Sequence, residues 1–151
     1  MVFGRKKRNI VRLLVVEDEP LVAFDTEHLL SDAAYEIVKT VDTVAGAVDV
    51  LHAEEAIDLV LADVRLADGS GLDVARAAHA RGVPVLFVTG SFPEEAIAFA
   101  AGYLAKPYAQ RDLLNAIAAI DSSLSGERPG RLPAGFQLFA VAVPAPTNTS
   151  L

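Results

Sequence analysis

Five short apolar runs, each followed by a stretch of helical spacing, leave this chain few ways to fold. The runs are residues 11–16, 35–41, 57–62, 83–88 and 102–105. Run 57–62 is apolar apart from Asp58, the pattern of a strand buried on both faces. Pro20 suits a first helical position, and Leu21, Phe24, His28 and Leu29 follow it at helical spacing. Thr43 predicts the N-cap of a second helix carrying Val44, Ala47, Val48 and Leu51. Residues 71–81 predict a third, with Leu72, Ala75 and Ala78 on one stripe and Gly82 as its stop. Residues 93–101 predict a fourth. Residues 110–123 predict an amphipathic fifth, with Leu113, Leu114, Ile117 and Ile120 facing inward. Consecutive βα units give a parallel sheet covered on both faces, joined by right-handed crossovers.

These units fill residues 10–123, which predicts one α/β domain with a basic arm, 1–9, before it. Residues 124–151 turn to Ser, Gly and Pro and are expected to form a flexible tail, too short for a helix-turn-helix or catalytic output domain. Its one apolar run, 136–143, is open to three readings: loose tail, docking on the domain itself, or docking on a partner. The 151 residues include no cysteine, so disulfides and thiolate metal sites are excluded. No apolar run reaches the roughly 20 residues of a membrane span. Run 10–16 is broken by Arg12 and then meets Glu17, Asp18 and Glu19, which argues against a signal peptide and for the cytoplasm. The net charge of −7 is uneven: Arg5, Lys6, Lys7 and Arg8 are basic and the body is strongly acidic. An acidic body repels nucleic acid and suits a cation or a basic partner. The basic run reads as a solvated arm. His28, His52 and His79 have no spacing suited to a shared metal.

In an open α/β sheet, ligands bind at the carboxyl ends of the strands. Run one ends in Glu17, Asp18 and Glu19, run three in Asp63, run four in Thr89 and Gly90, and run five in Lys106 and Pro107. Crowded carboxylates resist ionising together, and a hard divalent cation relieves them; oxygen ligands with retained waters favour magnesium. A lysine pairs with a carboxylate or a phosphoryl group, and a threonine hydroxyl donates a hydrogen bond. The set is that of a phosphoryl-transfer site: cations neutralise the equatorial oxygens while a carboxylate oxygen attacks in line.

The motifs LLVVEDEP, DLVLADVRLADGSGLDVA, PVLFVTG and GYLAKPY make residues 10–123 closely resemble the receiver domain of two-component response regulators. The resemblance implies a flavodoxin-like (βα)5 fold with strand order 2-1-3-4-5. It implies that Asp63 takes a phosphoryl group from a phosphohistidine of a sensor histidine kinase or phosphotransfer protein. Asp18 and Asp63 would bind Mg2+ directly, Glu17 through water, and the backbone carbonyl of Arg65 would complete the protein ligands. Lys106 would contact the phosphoryl group and carry a cis peptide to Pro107. Thr89 and Tyr103 would form the switch, and a downstream protein would bind the face of the fourth helix, fifth strand and fifth helix. Such a protein is a phosphoacceptor, able to phosphorylate itself from a small donor and to lose the phosphate slowly. Arg65, two residues after Asp63, overlooks the site and would set the lifetime of the phosphate. Phe87-Val88-Thr89-Gly90-Ser91 partly matches the Phe-Ala-Thr-Gly segment of stand-alone α-proteobacterial receivers.

Three other functions compete. An unphosphorylated receiver-like scaffold would not need the full acid, threonine and lysine set. An aspartyl-nucleophile phosphatase usually has a second acid two residues after the nucleophile, where this chain has Arg65. A flavin module would want a Ser/Thr/Gly-rich loop after the first strand, where this chain has Glu17-Asp18-Glu19-Pro20.

Overall fold

A computed structural model describes residues 8–53 and 56–139. Strands β1 (Arg12–Val16), β2 (Glu36–Val41), β3 (Leu59–Ala62), β4 (Val85–Thr89), β5 (Gly102–Ala105) and β6 (Phe136–Leu138) form one sheet in the order β2-β1-β3-β4-β5-β6. The first five are parallel, as expected, and β6 pairs antiparallel with β5. Helices α1 (Pro20–Asp32), α2 (Val44–Ala53), α3 (Gly71–Ala80) and α4 (Gln110–Leu124) cover the sheet. A small hairpin pairs Arg65–Leu66 with Gly69–Ser70 between β3 and α3.

Alternation along each strand divides the core in two. Leu13, Val15, Leu59, Leu61, Leu86, Val88 and Leu104 pack against Leu30 of α1 and Leu113, Ile117 and Ile120 of α4. Leu14, Val16, Val60, Ala62, Val85 and Phe87 pack against Leu51 of α2 and Val74, Ala75 and Ala78 of α3. Strands with apolar side chains on both faces need cover on both sides, and the crossovers supply it. Asp58 sits just before β3, where its carboxylate accepts from the amides of Val11 and Arg12, both at 2.9 Å.

The predicted caps are present. Pro20 opens α1, the Thr43 hydroxyl accepts from the Gly46 amide at 3.0 Å, and Gly82 follows α3 with φ +73°. Ser70 Oγ caps α3 by accepting from the Leu72 amide at 3.1 Å.

Two expectations change, the fourth helix and the tail. The predicted fourth helix is a 3-10 turn, Glu94–Phe99. It has only six residues after Pro93 and buries only Ala96, too little to hold a full α-helix in place. In α1 the inward residues are Thr26 and Leu30, whereas Leu21 and Phe24 are exposed. The helix is apolar on several faces, and packing rather than spacing decides which one is covered. The tail expected to be flexible supplies β6, so the described part of run 136–143 docks on the domain itself; residues 140–143 lie outside the described residues.

Within the basic arm, residues 5–7 also lie outside them. The guanidinium of Arg8 lies 4.1 Å from the centre of the Tyr35 ring, and the Asn9 and Ile10 amides donate to the carboxylate of Asp121.

Candidate functional site

β1, β3, β4 and β5 all end on one rim, which brings the predicted residues together. Asp18, Asp63, Arg65, Thr89 and Lys106 line one cleft of about 490 Å³, joined by Glu19, Gly90 and Ser91. Lys106, just past β5, reaches across it: Nζ lies 2.9 Å from Asp63 Oδ2 and 3.4 Å from Glu17 Oε1. The other oxygen of Asp63 accepts from the Arg65 amide at 3.1 Å. Both carboxylate oxygens are therefore fixed, one by a cation and one by backbone. The peptide from Lys106 to Pro107 is cis, as expected.

Glu17 does not line this cleft. Its carboxylate turns beneath the rim, accepting from the Glu19 amide at 3.1 Å and facing Lys106. Burial pushes its pKa up; the Glu19 amide and Lys106 oppose this, and the charge of Asp63 adds to it. Burial pulls the Lys106 ammonium down, but the hydrogen bond to Asp63 and the charges of Glu17 and Asp63 more than offset it, and the net shift is upward.

Among the described residues no three acidic or histidine side chains converge into a protein-only metal cage. That does not disqualify magnesium, which keeps several waters and is commonly held by one or two carboxylates. Asp18 and Asp63 in one cleft are such a pair. The donor set is hard oxygen, and Lys106 offsets only one of the three charges on Glu17, Asp18 and Asp63.

Thr89 is 3% exposed, and its hydroxyl turns onto its own loop, donating to the Ser91 carbonyl at 3.1 Å and accepting from the Ser91 amide at 3.4 Å. Tyr103 lies on the neighbouring strand, half-buried, with its ring stacked on Phe92 at 4.5 Å.

Two structural contributors were not singled out by pattern. A Cβ on Gly71 would lie 2.1 Å from the Asp63 carbonyl oxygen, so α3 starts against the Asp63 loop only because residue 71 has no side chain. A glycine at the first position of a helix already capped by Ser70 was the available signal. Asp68, in the same loop, caps α2 by accepting from the Val44 amide at 2.7 Å and the Ala45 amide at 3.2 Å.

A family model for the response regulator receiver domain matches residues 13–118. The phyllosphere-induced regulator PhyR of Methylorubrum extorquens is 38% identical over 84 residues, covering 54% of this chain and 31% of that protein. The transcriptional regulatory protein PdtaR of Mycobacterium tuberculosis is 32% identical over 112 residues, covering 70% of this chain and 54% of that protein. The chain thus spans between about a third and about half of these curated relatives. The crystal structure of a CheY-like response regulator receiver domain protein from Methanospirillum hungatei superposes with a TM-score of 0.68. That match has 27% identity and covers 78% of this chain and 98% of that one.

Proposed function

Since the chain belongs to the response regulator receiver family, we propose that Asp63 is its phosphoryl acceptor and that phosphorylation there selects a binding partner. The observation that carries this is the placement of Asp63: one carboxylate oxygen 2.9 Å from the Lys106 ammonium, in a cleft shared with Asp18 and Thr89. A carboxylate oxygen of Asp63 attacks the phosphorus of a phosphohistidine on a kinase or phosphotransfer protein. The new P–O bond forms as the P–N bond breaks, and the imidazole leaves with the electron pair. Lys106 neutralises charge on the transferred group and Thr89 donates a hydrogen bond to it. Asp18, Asp63 and the Arg65 carbonyl, with Glu17 through water, would hold the magnesium ion, which supplies further charge neutralisation. The same site takes a phosphoryl group from small acyl phosphates and returns it slowly to water, with Arg65 at the mouth of the cleft setting the rate. Thr89 and Tyr103 relay the change to the face made by the 3-10 turn, β5 and α4, where a downstream protein binds.

The test is incubation with acetyl phosphate and magnesium, read by intact mass. An acid-stable, base-labile phosphoryl adduct is expected on the wild type and none on Asp63→Asn. No adduct, or one that survives Asp63→Asn, refutes the assignment.

A further inference from the structure

β6 lies outside the five βα units, on the edge strand that carries Tyr103. Its register pairs Gly102 with Leu138, Tyr103 with Gln137 and Leu104 with Phe136. Two backbone bonds close its ends, Ala105 amide to Gly135 carbonyl and Phe139 amide to Ala101 carbonyl, both at 2.9 Å. Phe136 is buried in a seat made by the bareness of Gly102: a Cβ there would lie 2.7 Å from the ring. Just past the strand, Phe139 stacks on Phe92 with centroids 5.6 Å apart and planes 19° apart. Phe92 in turn stacks on Tyr103, with planes 14° apart. Phe92 thus stacks on both the tyrosine and Phe139 of the C-terminal segment.

Phe92 also belongs to the loop that Thr89 holds. The Thr89 hydroxyl bonds Ser91, the residue before Phe92. A hydroxyl that moves toward a phosphoryl group on Asp63 leaves Ser91 and releases that loop. A Tyr103 ring that turns inward leaves the Phe92 face. Phe139 opposes both movements, because its stacking contact is a second hold on Phe92.

We propose that residues 136–139 form an intrasteric lock that holds Phe92 against Tyr103 in the resting state and opens when Asp63 is phosphorylated. The inference rests on the switch reading given above. A three-residue antiparallel edge strand has few bonds to break, so it can open without unfolding the domain. By linkage, any contact that stabilises the resting state weakens phosphoryl binding by the same factor.

The experiment is hydrogen exchange on the full chain with magnesium, with and without beryllofluoride as the phosphoryl mimic, for wild type, Phe139→Ala and Gly102→Ala. Beryllofluoride is expected to speed exchange of the Ala105 and Phe139 amides by at least about tenfold while β1 and β3 stay protected. Phe139→Ala removes one stacking partner and should tighten beryllofluoride binding roughly three- to tenfold. Gly102→Ala pushes on Phe136 and on the Gln137 carbonyl, loosening β6 without removing a ring of the stack, and should shift the affinity in the same direction. If the Asp63 loop responds to the mimic while exchange at residues 136–139 and the affinities of both variants are unchanged, the lock is wrong and the switch reading stands. If the Asp63 loop does not respond at all, the switch reading fails and the lock falls with it.

Discussion

Replacing Lys106 by methionine removes one charge and keeps most of the side-chain volume. At 2.9 Å and 3.4 Å, the contacts with Asp63 and Glu17 sum to about 11 kcal/mol at an effective dielectric constant of ~20, and about 2.7 kcal/mol at that of water. Desolvation of three ionised groups consumes most of this. Breaking one side of a buried pair costs roughly 3–5 kcal/mol, whereas exposed pairs give under about 1 kcal/mol. The Lys106 side chain is 23% exposed, against 11% for Asp63 and 8% for Glu17, which puts the site between these limits. We expect a loss of about 2 kcal/mol at pH 7, or roughly 4–8 °C in melting temperature for a chain of this size. The raised pKa of Lys106 fixes the pH window: its contribution is complete below the ordinary lysine value of 10.5 and fades only above it. The variant also frees Glu17 from the cation that holds its pKa down, so Glu17 gains protons in the fold more readily than in the unfolded chain. The variant's deficit should therefore shrink as the pH falls through the carboxylate range. Thermal melts by circular dichroism at pH 7 and at stepwise lower pH measure both effects. A variant melting within about one degree of wild type at pH 7, with no convergence on acidification, would show that Lys106 does not hold these carboxylates.

Gly71→Ala places a methyl against the Asp63 carbonyl and should cost roughly 1–3 kcal/mol, seen in urea unfolding, with slower adduct formation at Asp63. Glu17→Gln removes a buried carboxylate whose pKa is raised; such an acid costs stability above its folded pKa and nothing below its unfolded one. Any stability advantage of the variant should therefore be largest at neutral pH and decline as the pH approaches 4.5, in melts without divalent cation. Asp121→Ala leaves the Asn9 and Ile10 amides without their acceptor and should lower stability by about 1–3 kcal/mol in the same denaturation assay, with the rate of phosphorylation unchanged.

The central elements were legible because their signals are local. Leu13, Leu14, Val15 and Val16 fill both faces of β1, and Thr43, Pro20 and Gly82 mark helix ends by their own chemistry. The clustering of Asp18, Asp63, Thr89 and Lys106 was legible for a related reason: parallel strands bring every strand's carboxyl end to the same rim. Residues 93–101 were expected to form a helix, but only Glu94–Phe99 do so, as a 3-10 turn with Ala96 alone buried, and how much of such a segment is covered is decided by its neighbours in the fold. Leu21 and Phe24 lie on the predicted helix but are exposed, since spacing shows that a face is apolar but not that anything covers it.

What the sequence determined by itself, then, was Asp63 at the end of a buried strand, with its companions at the ends of the others. Period and punctuation follow from backbone geometry within a few residues, and a parallel sheet does the rest. Only the tertiary structure decided that Glu17 turns under the rim toward Lys106, that Gly71 must be bare for α3 to meet the Asp63 loop, and that Tyr103 and Phe139 both stack on Phe92. The first and last of these join residues far apart in the chain, and Gly71 meets the Asp63 loop only across the hairpin that pairs Arg65–Leu66 with Gly69–Ser70. Their meeting depends on register, crossover and side-chain packing, which no local pattern encodes.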